Sequence, residues 1–228
     1  MVDKTWEKHL KLAYDKHAAI VSSSHLCSVN RYDDLGKLIP NRPLFDTCRH
    51  WQCCRVSVDN YSRPSNSASQ MYADLEGSDL PENFYTLVIL MIGSNMEQTL
   101  NSNLSGAELD QFLKDQASLT ADYVFRCFLL LVPTLLDRTR GRIYVILPPG
   151  RTTPHFNKYL QKLDSMLKDS LPKNVYYGRL DNFHDRFLNI KPELLNKKGK
   201  KLDVHLNVQA YARFNTILNR LAKKSKLI

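Results

Sequence analysis

Three short polar sets in this 228-residue chain carry the side chains that acyl transfer needs. Ser22-Ser23-Ser24 offers hydroxyl nucleophiles, and Gly93-Ser94-Asn95 offers an amide that donates to a developing oxyanion. Asp203-Val-His205-Leu-Asn207 offers an imidazole base beside a carboxylate. Each also has a plainer use. His205 suits a cap or hydrogen bond at the start of the last helix, which is the role expected of it. Asn95 suits a loop held to its own backbone, and His25 suits the cap of a first helix.

Whether the three sets meet depends on the elements between them. The run from Thr86 to Ile92 is apolar and rich in β-branched residues, and reads as a strand buried on both faces. It stops at Gly93-Ser94-Asn95, outside the carboxyl end, where open parallel sheets hold their ligands. His17 to Val21 reads as a first strand, Arg55 to Val58 as a second, Arg142 to Leu147 as a fourth and Asn174 to Tyr177 as a fifth. Helices are expected from Thr5 to His17, from the serine run, and from the Ser105-Gly-Ala-Glu108 capping box through an apolar stretch deeply packed up to Pro133. Two more are expected after Thr152 or Thr153, with Pro154 in the first turn, and from about Asn207 to Lys224. Tyr61 to Glu82 reads as a long loop, and residues 181–203 as a polar connection. The alternation predicts a three-layer α/β/α fold, a doubly wound and mainly parallel five-stranded sheet. Residues 1–228 are expected to form one domain, with 1–17 a helical extension.

Charge divides the chain. Residues 1–137 hold 12 Lys/Arg against 17 Asp/Glu, a net of −5. Residues 138–228 hold 20 against 6, a net of +14, which points either to a face that meets a polyanion or to a solvated surface with a basic tail. No signal-peptide core opens the sequence, and no uninterrupted apolar run reaches the ~18 residues of a membrane span. Five cysteines lack the paired spacing of a disulfide framework or a zinc site, so buried thiols in a reducing cytoplasm are expected, with no metal and no cofactor. Trp51 is expected to anchor the core.

The three polar sets, in their order, resemble those of the SGNH (GDSL-like) hydrolases: a serine block after strand one, Gly-x-Asn after strand three, Asp-x-x-His before the last helix. The resemblance implies Ser24 as nucleophile, Gly93 and Asn95 at the oxyanion, and His205 as base. The departures are specific. Ser22-Ser23 stands where the family has Gly-Asp, Asp59-Asn60-Tyr61-Ser62 replaces a glycine after the second strand, and Asp203 lies two residues before His205 rather than three. An imidazole left unoriented loses on the order of 10⁴ in turnover. The expectation is therefore a chain without hydrolase activity.

The closing sequence Asp203 to Arg220 is similar to that of OSK domains, a germ-plasm branch of this fold. That resemblance implies a monomeric cytoplasmic module of germ granules (pole plasm) that binds mRNA 3′ untranslated regions, with germ-plasm proteins as partners and no membrane. Phosphate contacts need Arg or Lys on loops and element ends. Arg49, Arg55, Arg151, Lys197, Lys198, Lys200 and Lys201 fit, the lysines as attachment points on a flexible loop. No RNP aromatic motif, Gly-x-x-Gly loop or zinc knuckle is present, so recognition is expected to be electrostatic and salt-sensitive.

Overall fold

The computed structural model describes residues 16–22, 50–51, 53–62, 66–77, 82–95, 104, 106–180, 182–185, 188–198 and 201–228, the side chains of 196–198 and 201–205 excepted. Five strands follow one another: β1 (Lys16–Val21), β2 (Val56–Asn60), β3 (Tyr85–Met91), β4 (Thr139–Ile146) and β5 (Val175–Gly178). They pair in parallel in the order β2-β1-β3-β4-β5. Helices α1 (Ala68–Glu76), α2 (Gly106–Asp137) and α3 (Pro154–Asp169) cover one face, and α4 (Val208–Lys224) covers the other.

Strand periodicity explains the two layers of core. On β3, Val88, Leu90 and Ile92 face the α1–α3 side, while Leu87, Ile89 and Met91 face α4. On β1, Ala19 and Val21 take the first side and Ala18 and Ile20 the second. With both faces covered, alternating polar residues have no place in these strands, hence the continuous apolar runs. Trp51 is fully buried on the α4 side, and its Nε1 donates to Asn219 Oδ1 at 2.8 Å.

Several expectations need correction. The long loop from Tyr61 to Glu82 contains α1, opened by a capping box in which Ser67 and Gln70 satisfy each other's backbone N–H. Residues 181–203 are not merely a connection: a 3₁₀ turn (Pro192–Leu194) leads into an antiparallel hairpin of β6 (Leu195–Lys198) and β7 (Lys201–Leu206). Leu194, Leu195 and Leu206 seat it against the α4-side core. Pro133 is exposed rather than deeply packed, and α2 runs through it to Asp137. A proline on the outer face leaves the carbonyl four residues earlier, that of exposed Leu129, without its helical donor but on the exposed side of the helix, so the helix continues through it. By length and composition Ala107–Asp137 could cross a membrane. Here its Leu113, Phe128, Leu131 and Leu135 are fully buried against the sheet and neighbouring helices.

Cys53 and Cys54 are exposed free thiols and Cys127 is buried, so the expectation of buried thiols holds for one of the three described. Among the described residues no group of three His, Cys, Asp or Glu could hold a metal ion. β1 begins at Lys16, inside the helical extension expected over 1–17. The rest of that extension and the serine-run helix, with His25, lie outside the described residues, as does the Ser105 of the expected capping box.

Candidate functional site at the carboxyl edge

The strand order places the topological switch point between β1 and β3, whose connections leave toward opposite halves of the sheet. A crevice opens outside the carboxyl ends of strands at such a point. Ser22 follows β1 and Gly93-Ser94-Asn95 follows β3, and the register pairing Val21 with Leu90 sets these ends side by side. Ser22 is fully buried and Ser94 nearly so, and among the described residues the Oγ of each has no hydrogen-bond partner. Buried hydroxyls ordinarily find one.

The block after β3 is pinned from three directions. Gly93 has φ +100°, and a Cβ there would come within 2.6 Å of Leu163 Cδ2 and 2.9 Å of the Tyr159 hydroxyl. Only glycine lets the chain pass so close to α3. Tyr159 Oη donates to the Gly93 carbonyl at 3.1 Å, and burial raises its phenol pKa. Arg151 Nη2 donates to the Ser94 carbonyl at 3.2 Å. Asn95 Nδ2 donates to the Asn66 carbonyl at 3.4 Å. Asn66, just before the α1 cap, is itself buried, and its Nδ2 has no partner among the described residues.

Arg151 differs from the outward phosphate contact its sequence position suggested. Asn157, buried on α3, accepts from the Arg151 N–H at 2.8 Å and donates to its carbonyl at 2.7 Å. The same amide nitrogen donates to Asn189 Oδ1 at 2.8 Å. The clamped backbone sends the guanidinium inward, its Cζ 4.2 Å from the Phe156 ring centroid. Desolvation lowers its pKa to about 10. Gly150 is tight as well, since a Cβ there would stand 1.8 Å from the Leu188 carbonyl oxygen.

After β2, Asp59 Oδ2 accepts from Tyr85 Oη at 3.0 Å, and the Tyr61 and Tyr85 hydroxyls lie 2.9 Å apart. Burial first, and then the Asp59 carboxylate, drive the Tyr85 pKa far upward. Asn60 Oδ1 accepts from the Ser62 N–H at 3.0 Å, closing a turn where the sequence pattern wanted a glycine.

The structure thus gathers Gly93, Asn95 and Arg151 at one edge. Arg55 is exposed at the start of β2, with φ 59°. Ser24, Arg49 and Lys200 lie outside the described residues. Lys197, Lys198 and Lys201 belong to the β6–β7 hairpin, not to a flexible loop, and Lys198 pairs with Lys201. His205 lies in β7 with its side chain outside the described residues, so its expected cap or hydrogen bond is not seen; the cap of α4 is Asn207, whose Oδ1 accepts from the Ala210 N–H at 3.0 Å. The sequence reading missed Asn66, Asn157 and Tyr159. Only Asn66 had a local signal, the Ser67-x-x-Gln70 box beside it.

No family model and no curated protein matches the chain. Solved structures do. An acetyl xylan esterase, AlAXEase, superposes with TM-score 0.58 at 15% identity, covering 90% of this chain and 98% of that one. A possible lipase from Chitinophaga pinensis gives 0.55 at 11%, covering 93% and 99%. The acetyl xylan esterase Est2A from the rumen bacterium Butyrivibrio proteoclasticus gives 0.53 at 10%, covering 95% of this chain and 65% of that. At these identities the likeness is one of fold, and the fold is that of the SGNH hydrolase-like esterases. The expectation of a chain without hydrolase activity is overturned by this finding, because the proteins that share the architecture are esterases and lipases.

Proposed function

We propose that the chain is an RNA-binding domain on an SGNH hydrolase-like fold, engaging mRNA 3′ untranslated regions. The observation that carries the reading is the charge division: residues 138–228, from the start of β4 through α4, bring a net of +14 to one protein. Such an excess attracts a phosphate backbone and releases its counterions. The likeness of the closing residues to the OSK domain of insect Oskar supports the same reading. It also suggests germ granules of the cytoplasm (pole plasm) as the place of action, and mRNA localisation with germ-plasm proteins as its setting. Crosslinking of the purified chain to labelled RNA across a salt series tests it. Crosslinking that falls steeply with salt is expected, and none at the lowest salt would sink the proposal.

A second reading has its own support. Ester hydrolysis would use Ser24 as nucleophile, Asn95 as oxyanion donor and His205 as base. The esterase likenesses favour this reading over the first, and at the switch point the buried Ser22 Oγ, Ser94 Oγ and Asn66 Nδ2 have no hydrogen-bond partner among the described residues, a cluster of polar groups of the kind a site keeps. Hydrolysis of a short acyl ester that Ser24→Ala abolishes would establish it. Equal rates in wild type and Ser24→Ala would remove it.

A further inference from the structure

Between the β4–β5 edge of the sheet and α4 lies a groove of about 330 Å³. Tyr144 and Ile217 lie on its apolar side, and Arg179, Arg220 and Lys224 bring charge to its rim. Among the described residues no acidic side chain lines it. Arg179 is neutralised, its Nε 3.3 Å from Asp164 Oδ1. Arg220 and Lys224 are exposed, and among the described residues they make no ion pair or hydrogen bond through their side chains. They stand four residues apart on α4, on one helix face and about 6 Å along its axis.

Beside the groove, β5 is the open edge of the sheet. Its Tyr176 keeps 41% of its surface exposed, an unusual place for a large ring. The ring stacks on cross-strand Tyr144 with centroids 5.3 Å apart, and Arg142 Cζ lies 5.3 Å from its centroid. Arg142 is fixed there by donating from Nη1 to Tyr144 Oη at 3.3 Å. The result is an aromatic platform held rigid by a neighbouring ring and a guanidinium, next to two spare cations at helical spacing.

We infer that this groove is a binding site for single-stranded RNA, with a base stacked at Tyr176 and successive phosphates met by Arg220 and Lys224; the inference rests on the RNA-binding reading. The combination of an exposed ring and a cationic track is what sequence-tolerant single-strand binding uses. A duplex would gain little from the platform, since its bases are already stacked on one another. An acidic peptide would use the cations but gain little from the platform.

The test measures fluorescence anisotropy of a labelled oligouridine with the whole chain. Its variants are Tyr176→Ala, Tyr176→Phe, the pair Arg220→Glu and Lys224→Glu, and Lys158→Glu on exposed α3 as a control. All four positions are exposed, and circular dichroism checks that each variant folds. Tyr176→Ala is expected to weaken binding about tenfold, with Tyr176→Phe near wild type. The paired charge reversal should weaken binding further and flatten its salt dependence, while Lys158→Glu should change little. Wild-type affinity in both Tyr176→Ala and the charge-reversal pair would overturn the groove and leave the RNA-binding reading intact. Competition by poly-glutamate as strong as by unlabelled RNA would overturn RNA as the occupant. Absence of binding by the wild type would overturn the RNA-binding reading itself, and the groove with it.

Discussion

At the scale of single residues, the carboxyl edge depends on groups that permit close approach. Gly93 is the clearest case: alanine there must take a left-handed backbone and push into Leu163 and Tyr159 together. Gly93→Ala should cost about 3 kcal/mol, seen as a lower urea midpoint at unchanged slope. Tyr85 gives a pH signature. Its folded-state pKa is raised, so the folded protein holds the phenolic proton that the unfolded chain loses above about pH 10. That stabilisation is complete below pH 10 and shrinks as the pH rises further. Melting temperatures followed between about pH 9 and pH 11 should fall less steeply in Tyr85→Phe than in wild type. At neutral pH the variant should lose about 1 kcal/mol with the bond to Asp59. Gly93 and Asn95 were legible in the sequence, because an apolar run ending in glycine and an amide marks the end of a strand. Arg151 was legible as a basic residue at that edge but not as an inward one. Its direction is set by Asn157 and Phe156, residues whose partnership only the packing of α3 reveals.

At the scale of elements, α3 borrows its cap. Thr153 stands at the N-cap without a side-chain hydrogen bond, and Asp110 of α2 instead accepts from the His155 and Phe156 N–H groups at 2.9 and 3.3 Å. A carboxylate at a helix N-terminus meets both the free N–H groups and the dipole. Asp110→Ala should therefore destabilise the protein by about 1 kcal/mol, whereas Thr153→Ala should change stability by only a few tenths, both read by urea denaturation. The main strands were legible from apolar runs. The β6–β7 hairpin was not, because Leu-Asn-Lys-Lys and its partner are rich in residues that strands disfavour and are held by burial of Leu195 and Leu206. α1 was hidden by the polar composition around it, although its capping box was there to be read.

At the scale of the molecule, the acidic and basic portions of the sequence share one continuous sheet, so its charge is distributed by position along the chain rather than by domain. If RNA meets the basic portion through about five phosphates, the logarithm of the association constant should fall with that of salt at a slope near −3.5. A slope near zero in a titration from low to physiological salt would contradict electrostatic binding. The doubly wound class was legible because strand–helix alternation constrains topology strongly. The groove at β5 and α4 was not, because Arg142, Tyr176 and Arg220 are far apart in sequence and are brought together only by the order of the strands.

The borrowed cap makes a lever of α3. Its first turn is held by Asp110 of α2, and one turn further on Tyr159 holds the carbonyl of Gly93. Loosening the start of the helix should therefore be felt at the end of β3. Hydrogen exchange would register this as faster amide exchange at Ser94 and Asn95 in Asp110→Ala, with β1 unchanged. The edge where a ligand would sit would then be tuned from the opposite end of a helix contact, by a residue with no part in binding.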